Sequence, residues 1–359
     1  MTAAMARHTR SLGELAGDDA PAFGGKSASL GELLRAQIPV PPGFALGVSA
    51  FAQFLERPGL TQQVAEALAS VGPQDVDALS DAAEAIGNAM RATAVPDAVR
   101  SEIELAYANL AALTGLAEPP VAVRSSALGE DTEQATFAGQ QDTYLWVRGS
   151  DAICRAVRDC WASLYSTEAI SYRLGLAGGT AQPAMGVTVQ LMVDSAVSGV
   201  MFTCNPVSGD PSMVAINASW GLGLAVVGGE VTPDDYLLSK VTREVVRQTT
   251  GDKQVEYSAA PDGHGTIRID VDPERRNTPC LDAGALSALV ELARRVERHF
   301  GSHQDIEWAI ARDHDVGDGL YVLQSRPVTG LPERDAVAST ASALSLVMSQ
   351  FGAAPRAKD

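Results

Sequence analysis

The sequence predicts an α+β fold in which two subdomains flank a cleft. Its 359 residues exceed what one hydrophobic core usually fills, and 46% of them are hydrophobic, enough to build two. Apolar residues recur at helical spacing through much of the first half, whereas period-two alternation dominates the second. The glycine-rich stretch 175–183 marks the division. Residues 1–180 form an N-terminal subdomain, 181–330 a C-terminal one, and 331–359 a tail. Within that tail Val337, Leu344, Val347 and Phe351 make a partial helical stripe, the pattern either of a docking helix or of a frayed linker.

Composition narrows the partners. Lys and Arg number 27 against 44 Asp and Glu, a net charge of −17. That balance argues against nucleic acid or an anionic membrane surface, and it requires any phosphate ligand to be gripped by a few focused cations. The four cysteines form no Cys-x-x-Cys pair, residues 1–18 lack the apolar core of a secretory signal, and no apolar run approaches membrane-spanning length. A reducing cytoplasm is the expected location.

Along the chain, residues 21–31 (PAFGGKSASLG) are a glycine-rich turn feeding a helix over 27–37, which the run Pro39, Pro41, Pro42, Gly43 terminates. Gly25-Lys26-Ser27 mimics the end of a Walker A motif, but the first glycine of that motif would fall on Ala20 and no buried strand precedes it. Lys26 stands either as a phosphate ligand or as a surface lysine at a helix start. Leu79, Ala83, Ile86 and Met90, then Val99, Ile103, Ala106, Leu110 and Leu113 beyond Pro96, are packing stripes of two helices. Residues 121–123 form an apolar strand that ends in Arg124-Ser125-Ser126, and the polar stretch 127–143 follows. An arginine at a strand tip beside small hydroxyl and glycine residues is a plausible phosphate grip, with residues 137–140 as a flap. Residues 151–172 read as one helix with Ile153, Val157, Trp161 and Leu164 on its buried face, which leaves Cys154 and Cys160 as inert helix residues.

Beyond the boundary, strands are expected at 186–193, 199–203, 213–219, 241–249, 253–258 and 266–271, with a helix over 282–300. The glycine-dense stretch 220–235 lacks the strand-turn-helix context of a dinucleotide fingerprint. His299 and His303 stand four apart, but Gly301 separates them and no third zinc ligand is evident. Residues 304–310 (QDIEWAI) and 319–329 (GLYVLQSRPVT) alternate with period two around a turn-like 312–318, and they read as a hairpin. Asp305, Glu307 and Ala309 share one face, opposite Ile306, Trp308 and Ile310; in the second strand Leu320, Val322, Gln324 and Arg326 share a face. If the polar faces meet, Glu307 and Gln324 present hard oxygen ligands side by side, with Arg326 one step further. The alternative is a surface carboxylate whose salt-bridge partner is Arg326.

Seven blocks in order, FGGKSASLGELLRAQIPVPPGF (23–44), VAVRSSA (121–127), TFAGQQDTYL (136–145), SGVMFTCNP (198–206), WGLG with GGEVTPDDY (220–236), QDIEWA (304–309) and LQSRPVT (323–329), closely resemble the nucleotide-binding domain of the PEP synthase and pyruvate phosphate dikinase family. The resemblance implies an ATP-grasp-like fold, two subdomains closing over an ATP cleft. It implies that Lys26 and Arg124 hold phosphates, that Thr143 and the Gly139 backbone sit on the triphosphate flap, and that Gln190 lies near the adenine. It implies Mg²⁺ on Glu307 and Gln324, and Arg326 on the phosphates. In one departure, Leu224 occupies a position where many relatives carry Glu.

The family passes a phosphoryl or pyrophosphoryl group from ATP to a histidine in a Thr-Ser-His-type motif of a separate domain. None of His8, His264, His299, His303 or His314 lies in such a motif, and no length remains for a PEP/pyruvate barrel. The resemblance thus implies a stand-alone ATP-binding subunit of a split dikinase, similar to that of phenylphosphate synthase, with a separate phosphohistidine-domain protein as partner. The alternatives are direct phosphorylation of a small molecule and a catalytically silent nucleotide-binding module.

Overall fold

A computed structural model describes residues 8–69, 71–127, 143–175 and 183–329. It is an α+β structure built on two antiparallel sheets. The first half contains β1 (Thr9–Ser11), α1 (Ala20–Phe23), α2 (Gly25–Arg35), β2 (Gly43–Leu46), α3 (Val48–Leu55), α4 (Leu60–Leu68), α5 (Val76–Ala92), α6 (Asp97–Thr114), β3 (Val121–Ala127), β4 (Thr143–Val147), α7 (Ser150–Ser163) and α8 (Thr167–Gly175). The second contains β5 (Met185–Leu191), β6 (Ser195–Phe202), β7 (Met213–Trp220), α9 (Leu224–Val227), β8 (Asp234–Ser239), β9 (Val245–Thr249), β10 (Val255–Ala259), β11 (Thr266–Asp270), α10 (Pro273–Arg276), α11 (Ala283–Phe300), β12 (Gln304–Ala311), α12 (Val316–Gly319) and β13 (Leu320–Pro327). No helix among the described residues is long and apolar enough to cross a membrane.

Local chemistry sets most of these boundaries. Asp75 and Asp282 cap α5 and α11 by accepting from the amides of Ala78 at 3.1 Å and Ala285 at 2.7 Å, and Gly115 and Gly301 end α6 and α11 in the left-handed conformation. The helix expected over 151–172 is broken at residues 164–166 into α7 and α8. Short strands without a clear alternation signal, β1, β2, β4 and β8, were not legible in the sequence. Their places follow from pairing within the sheets.

The first sheet has the order β1-β2-β5-β3-β4, and the second β13-β12-β6-β7-β8-β9; β10 and β11 form a separate hairpin. Because β5 pairs with both β2 and β3, the first sheet draws on residues beyond 181. Val123, Val187 and Val189 of that sheet share a core with Phe51, Phe54, Ile86, Ile103, Val157 and Trp161 of the covering helices. The second sheet and α11 share another core through Val214, Ile216, Ile306, Trp308, Leu289 and Val296. Leu30 and Leu33 of α2 also belong to that second core, although α2 abuts β3 of the first sheet. A single helix therefore touches both halves of the molecule, and it carries Lys26.

Candidate active site

A cavity of about 580 Å³ opens between the two sheets, and seven of the eight residues singled out in the sequence line it: Lys26, Arg124, Thr143, Gln190, Glu307, Gln324 and Arg326. The eighth, Gly139, lies with the whole flap 137–140 outside the described residues, as does the tail 331–359.

Lys26 sits in the first turn of α2, one residue earlier than the expected helix start. Its position depends on Gly24, whose φ is +84° and whose absent Cβ would lie 2.0 Å from the Ser126 carbonyl oxygen. Only glycine allows the backbone to turn there and approach β3 so closely. Lys26 Nζ donates to the Ser125 carbonyl at 3.2 Å, the Ser27 and Thr188 hydroxyls meet at 2.7 Å, and the Ser29 hydroxyl donates to the Ser325 carbonyl at 2.9 Å. The helix is thus bonded to strands of both sheets.

Arg124 lies mid-strand in β3 rather than at a strand tip, opposite Thr143 on one side and Thr188 on the other. Its Nη1 is 3.3 Å from Glu307 Oε2, on the other sheet, with the two side chains 13% and 31% exposed. Its Nε is buried without a hydrogen-bond partner among the described residues. A buried, unpaired guanidinium donor is costly unless a ligand accepts from it. Gln190 on β5 is 1% exposed, and its Nε2 reaches the Pro41 carbonyl only at 3.5 Å. Beside it Ala122, Leu145, Leu191, Met192 and Val193 make this part of the wall apolar.

The hairpin β12–β13 corrects one expectation. Glu307 pairs directly with Gln324 and Asp305 with Arg326, but the register shifts between Glu307 and Trp308, which pairs with Val322. The β-bulge at Leu323 reverses the alternation, so Leu320 and Val322 face the core with Trp308 while Gln324 and Arg326 face the cavity. The four do not share a face. The anticipated Glu307–Arg326 salt bridge is likewise not what forms. Arg326 grips Asp305, with Nε at 2.9 Å and Nη2 at 2.8 Å from Oδ2, and Glu307 pairs with Arg124.

Sequence reading passed over Asp305, although the alternation that placed Glu307 placed Asp305 on the same face. It also set aside the glycine-dense stretch 220–235, from which Leu222, Gly223, Leu224, Val227, Gly228 and Glu230 line the cavity. Leu224 opens α9 there. Across from it Tyr257 donates to Glu230 at 2.8 Å, a bond that pushes the phenol above its ordinary range.

Lys26, Arg124 and Arg326, with Glu307 and Gln324 beside them, thus converge on a cavity that is apolar around Gln190. The orphaned Arg124 Nε is the donor an anionic oxygen would satisfy. The adjacent Glu307 and Gln324 are hard oxygen ligands of the number Mg²⁺ takes from a protein when phosphates and waters supply the rest. Phosphate and magnesium fit the residues present.

Residues 20–344 match the family described as pyruvate phosphate dikinase, AMP/ATP-binding domain. A probable phosphoenolpyruvate synthase of Methanothermobacter thermautotrophicus is 41% identical over 329 residues, covering 92% of this chain and 47% of that protein. One from Staphylothermus marinus is 40% identical over 337 residues, 88% of this chain and 40% of that protein. The phosphoenolpyruvate synthase of Pyrococcus furiosus is 37% identical over 383 residues, 95% of this chain and 46% of that protein. The chain spans less than half the length of these three relatives. With its cation-lined cavity and a match over most of its length, the chain belongs to the pyruvate phosphate dikinase AMP/ATP-binding domain family.

Proposed function

We propose that the chain is an ATP-grasp-like unit that binds MgATP and passes a phosphoryl or pyrophosphoryl group to a histidine on a separate protein of the PEP synthase type. The observation that carries this reading is the convergence of Lys26, Arg124, Glu307, Gln324 and Arg326, from segments 300 residues apart at their extremes (26 to 326), on one cavity. Lys26, Arg124 and Arg326 would hold the triphosphate, with Thr143 and Gly139 on the flap side. Gln190 and the apolar wall around it would receive the adenine. Glu307 and Gln324 would hold Mg²⁺, which neutralises charge on the phosphate oxygens when bound.

Phosphoryl transfer asks little covalent chemistry of the protein. Positioning in line and cationic stabilisation of the equatorial oxygens do most of the work. An imidazole nitrogen forms the P–N bond as the P–O bond breaks, and the electron pair leaves on the nucleotide: attack at Pγ releases ADP, attack at Pβ releases AMP. All five histidines lie among the described residues and none lines the cavity, which favours an acceptor delivered from elsewhere.

The test uses ATP labelled at the β or γ position, the purified chain, and a phosphohistidine-domain protein of the PEP synthase type. Acid-labile label should appear on the added protein only when chain, ATP and Mg²⁺ are all present, and the chain alone should turn over little nucleotide. Steady turnover by the chain alone with a small-molecule acceptor would replace this reading with direct phosphotransfer.

A further inference from the structure

We propose that the tip of the β10–β11 hairpin is a latch between the two halves of the molecule, and that its release governs how fast nucleotide leaves the cleft. This rests on the ATP reading above and adds a moving part to it. β10 and β11 form their own two-stranded sheet, apart from both large ones. At its base the hairpin is fixed to the second half: Val255 is 2% exposed, and the Tyr257 carbonyl accepts from the Leu222 amide at 2.9 Å. Its tip crosses to the first half. There the Gly265 amide donates to the Trp146 carbonyl at 3.1 Å, and Gly263 lies against Arg148, whose Nε is 3.6 Å from where a Cβ would stand. Where α2 joins the halves through several bonds, the tip joins them through one backbone bond.

The acceptor of that bond is strained. Val147 pairs with Val121 and Tyr144 with Val123, so Leu145 and Trp146 stand against the single residue Ala122, which makes a bulge in β4. Glycine is the usual residue at the left-handed position of such a bulge, but here Trp146, 6% exposed, holds a φ of +57°. A bulky residue adopts that conformation at a cost, which it recovers if the bulge relaxes and the carbonyl turns away from Gly265. One backbone hydrogen bond and one strained residue are of the same order, so the latch is close to balance. The cavity supplies the bias. Leu145, the other residue of the bulge, and Tyr257, on the first strand of the hairpin, both line it. An occupant packed against the two fixes bulge and hairpin relative to each other and keeps the latch shut; without one the latch opens readily.

Hydrogen exchange on the full chain, with and without ATP in excess Mg²⁺, reads the latch in the peptide 260–266. Nucleotide should slow exchange there by about tenfold, the upper end of what one backbone bond is worth. A second measurement replaces residues 260–265 (APDGHG) by Asn-Gly. This joins Ala259 to Thr266, which already pair, so the hairpin is kept while the contact with Trp146 is lost. The shortened variant should release a fluorescent ATP analogue about three- to tenfold faster than wild type in stopped flow. Circular dichroism checks that it folds, and if it does not, exchange on the wild type decides alone. Exchange at 260–266 unaltered by bound MgATP, or release from the folded variant at the wild-type rate, overturns the latch and leaves the ATP reading standing. A folded wild-type chain that binds no MgATP in calorimetry overturns both.

Discussion

Lys253→Met should be the most damaging conservative-sized substitution outside the cavity. Lys253 and Asp234 are both fully buried, with Nζ 2.5 Å from Oδ1. Asp234 also accepts from the Gly251 amide at 2.9 Å, the Cys280 amide at 2.8 Å and the Tyr236 hydroxyl at 3.3 Å. It therefore ties the start of β8, at the end of the glycine-dense stretch that walls the cavity, to two loops. Removing one partner of a buried ion pair costs about 3–5 kcal/mol, because the other charge is left without compensation.

The expected deficit is then about 3–5 kcal/mol. Urea unfolding followed by tryptophan fluorescence reads this as a midpoint lowered by about 1–2 M. The double variant Asp234→Asn with Lys253→Met, which carries neither charge, should regain part of the loss. A deficit below about 1 kcal/mol would refute the reasoning.

Gly24→Ala forces a methyl group against the Ser126 carbonyl at 2.0 Å in a left-handed conformation; it should displace the start of α2 and Lys26 with it. MgATP affinity should fall about tenfold or more, and stability by about 1–3 kcal/mol; calorimetry and melting check both, and wild-type binding would show that the close approach is dispensable. The four cysteines should be inert in the folded chain. Burial pushes the Cys154 thiol up to about 11 and, joined by the Asp234 charge, raises that of Cys280 as well, while Cys160 and Cys204 are buried. A chromogenic disulfide reagent at pH 7.5 should label them slowly until denaturant is added; rapid labelling of the native protein would contradict the burial described.

Most of the site was legible because its residues sit in short ordered blocks whose local pattern survives without tertiary context. Glu307 and Gln324 were found from period-two alternation and a turn between two strands, and the register confirms them as direct partners. Leu323 shows the limit of that method. A bulge is an extra residue accommodated by twist and by the neighbouring strand, and nothing in the string LYVLQSR marks which residue is extra. The expected face was therefore wrong for half of the strand, although Glu307 and Gln324 do stand directly opposite each other. Likewise the continuous apolar spacing of 151–172 concealed the break between α7 and α8.

The sequence alone determined that the chain is α+β and that two cores are affordable, and it singled out a lysine, two arginines, a carboxylate and an amide that line one cavity. These are local properties, written in composition, periodicity and the order of short motifs. Only the tertiary structure decided that β5 closes the first sheet and that α2 bridges both cores. It alone brought Arg124 to Glu307 across 183 residues of chain, and Arg326 to Asp305. Partners so far apart are chosen by how the sheets pack, a choice made by the burial of both cores at once rather than by any residue's neighbours in sequence.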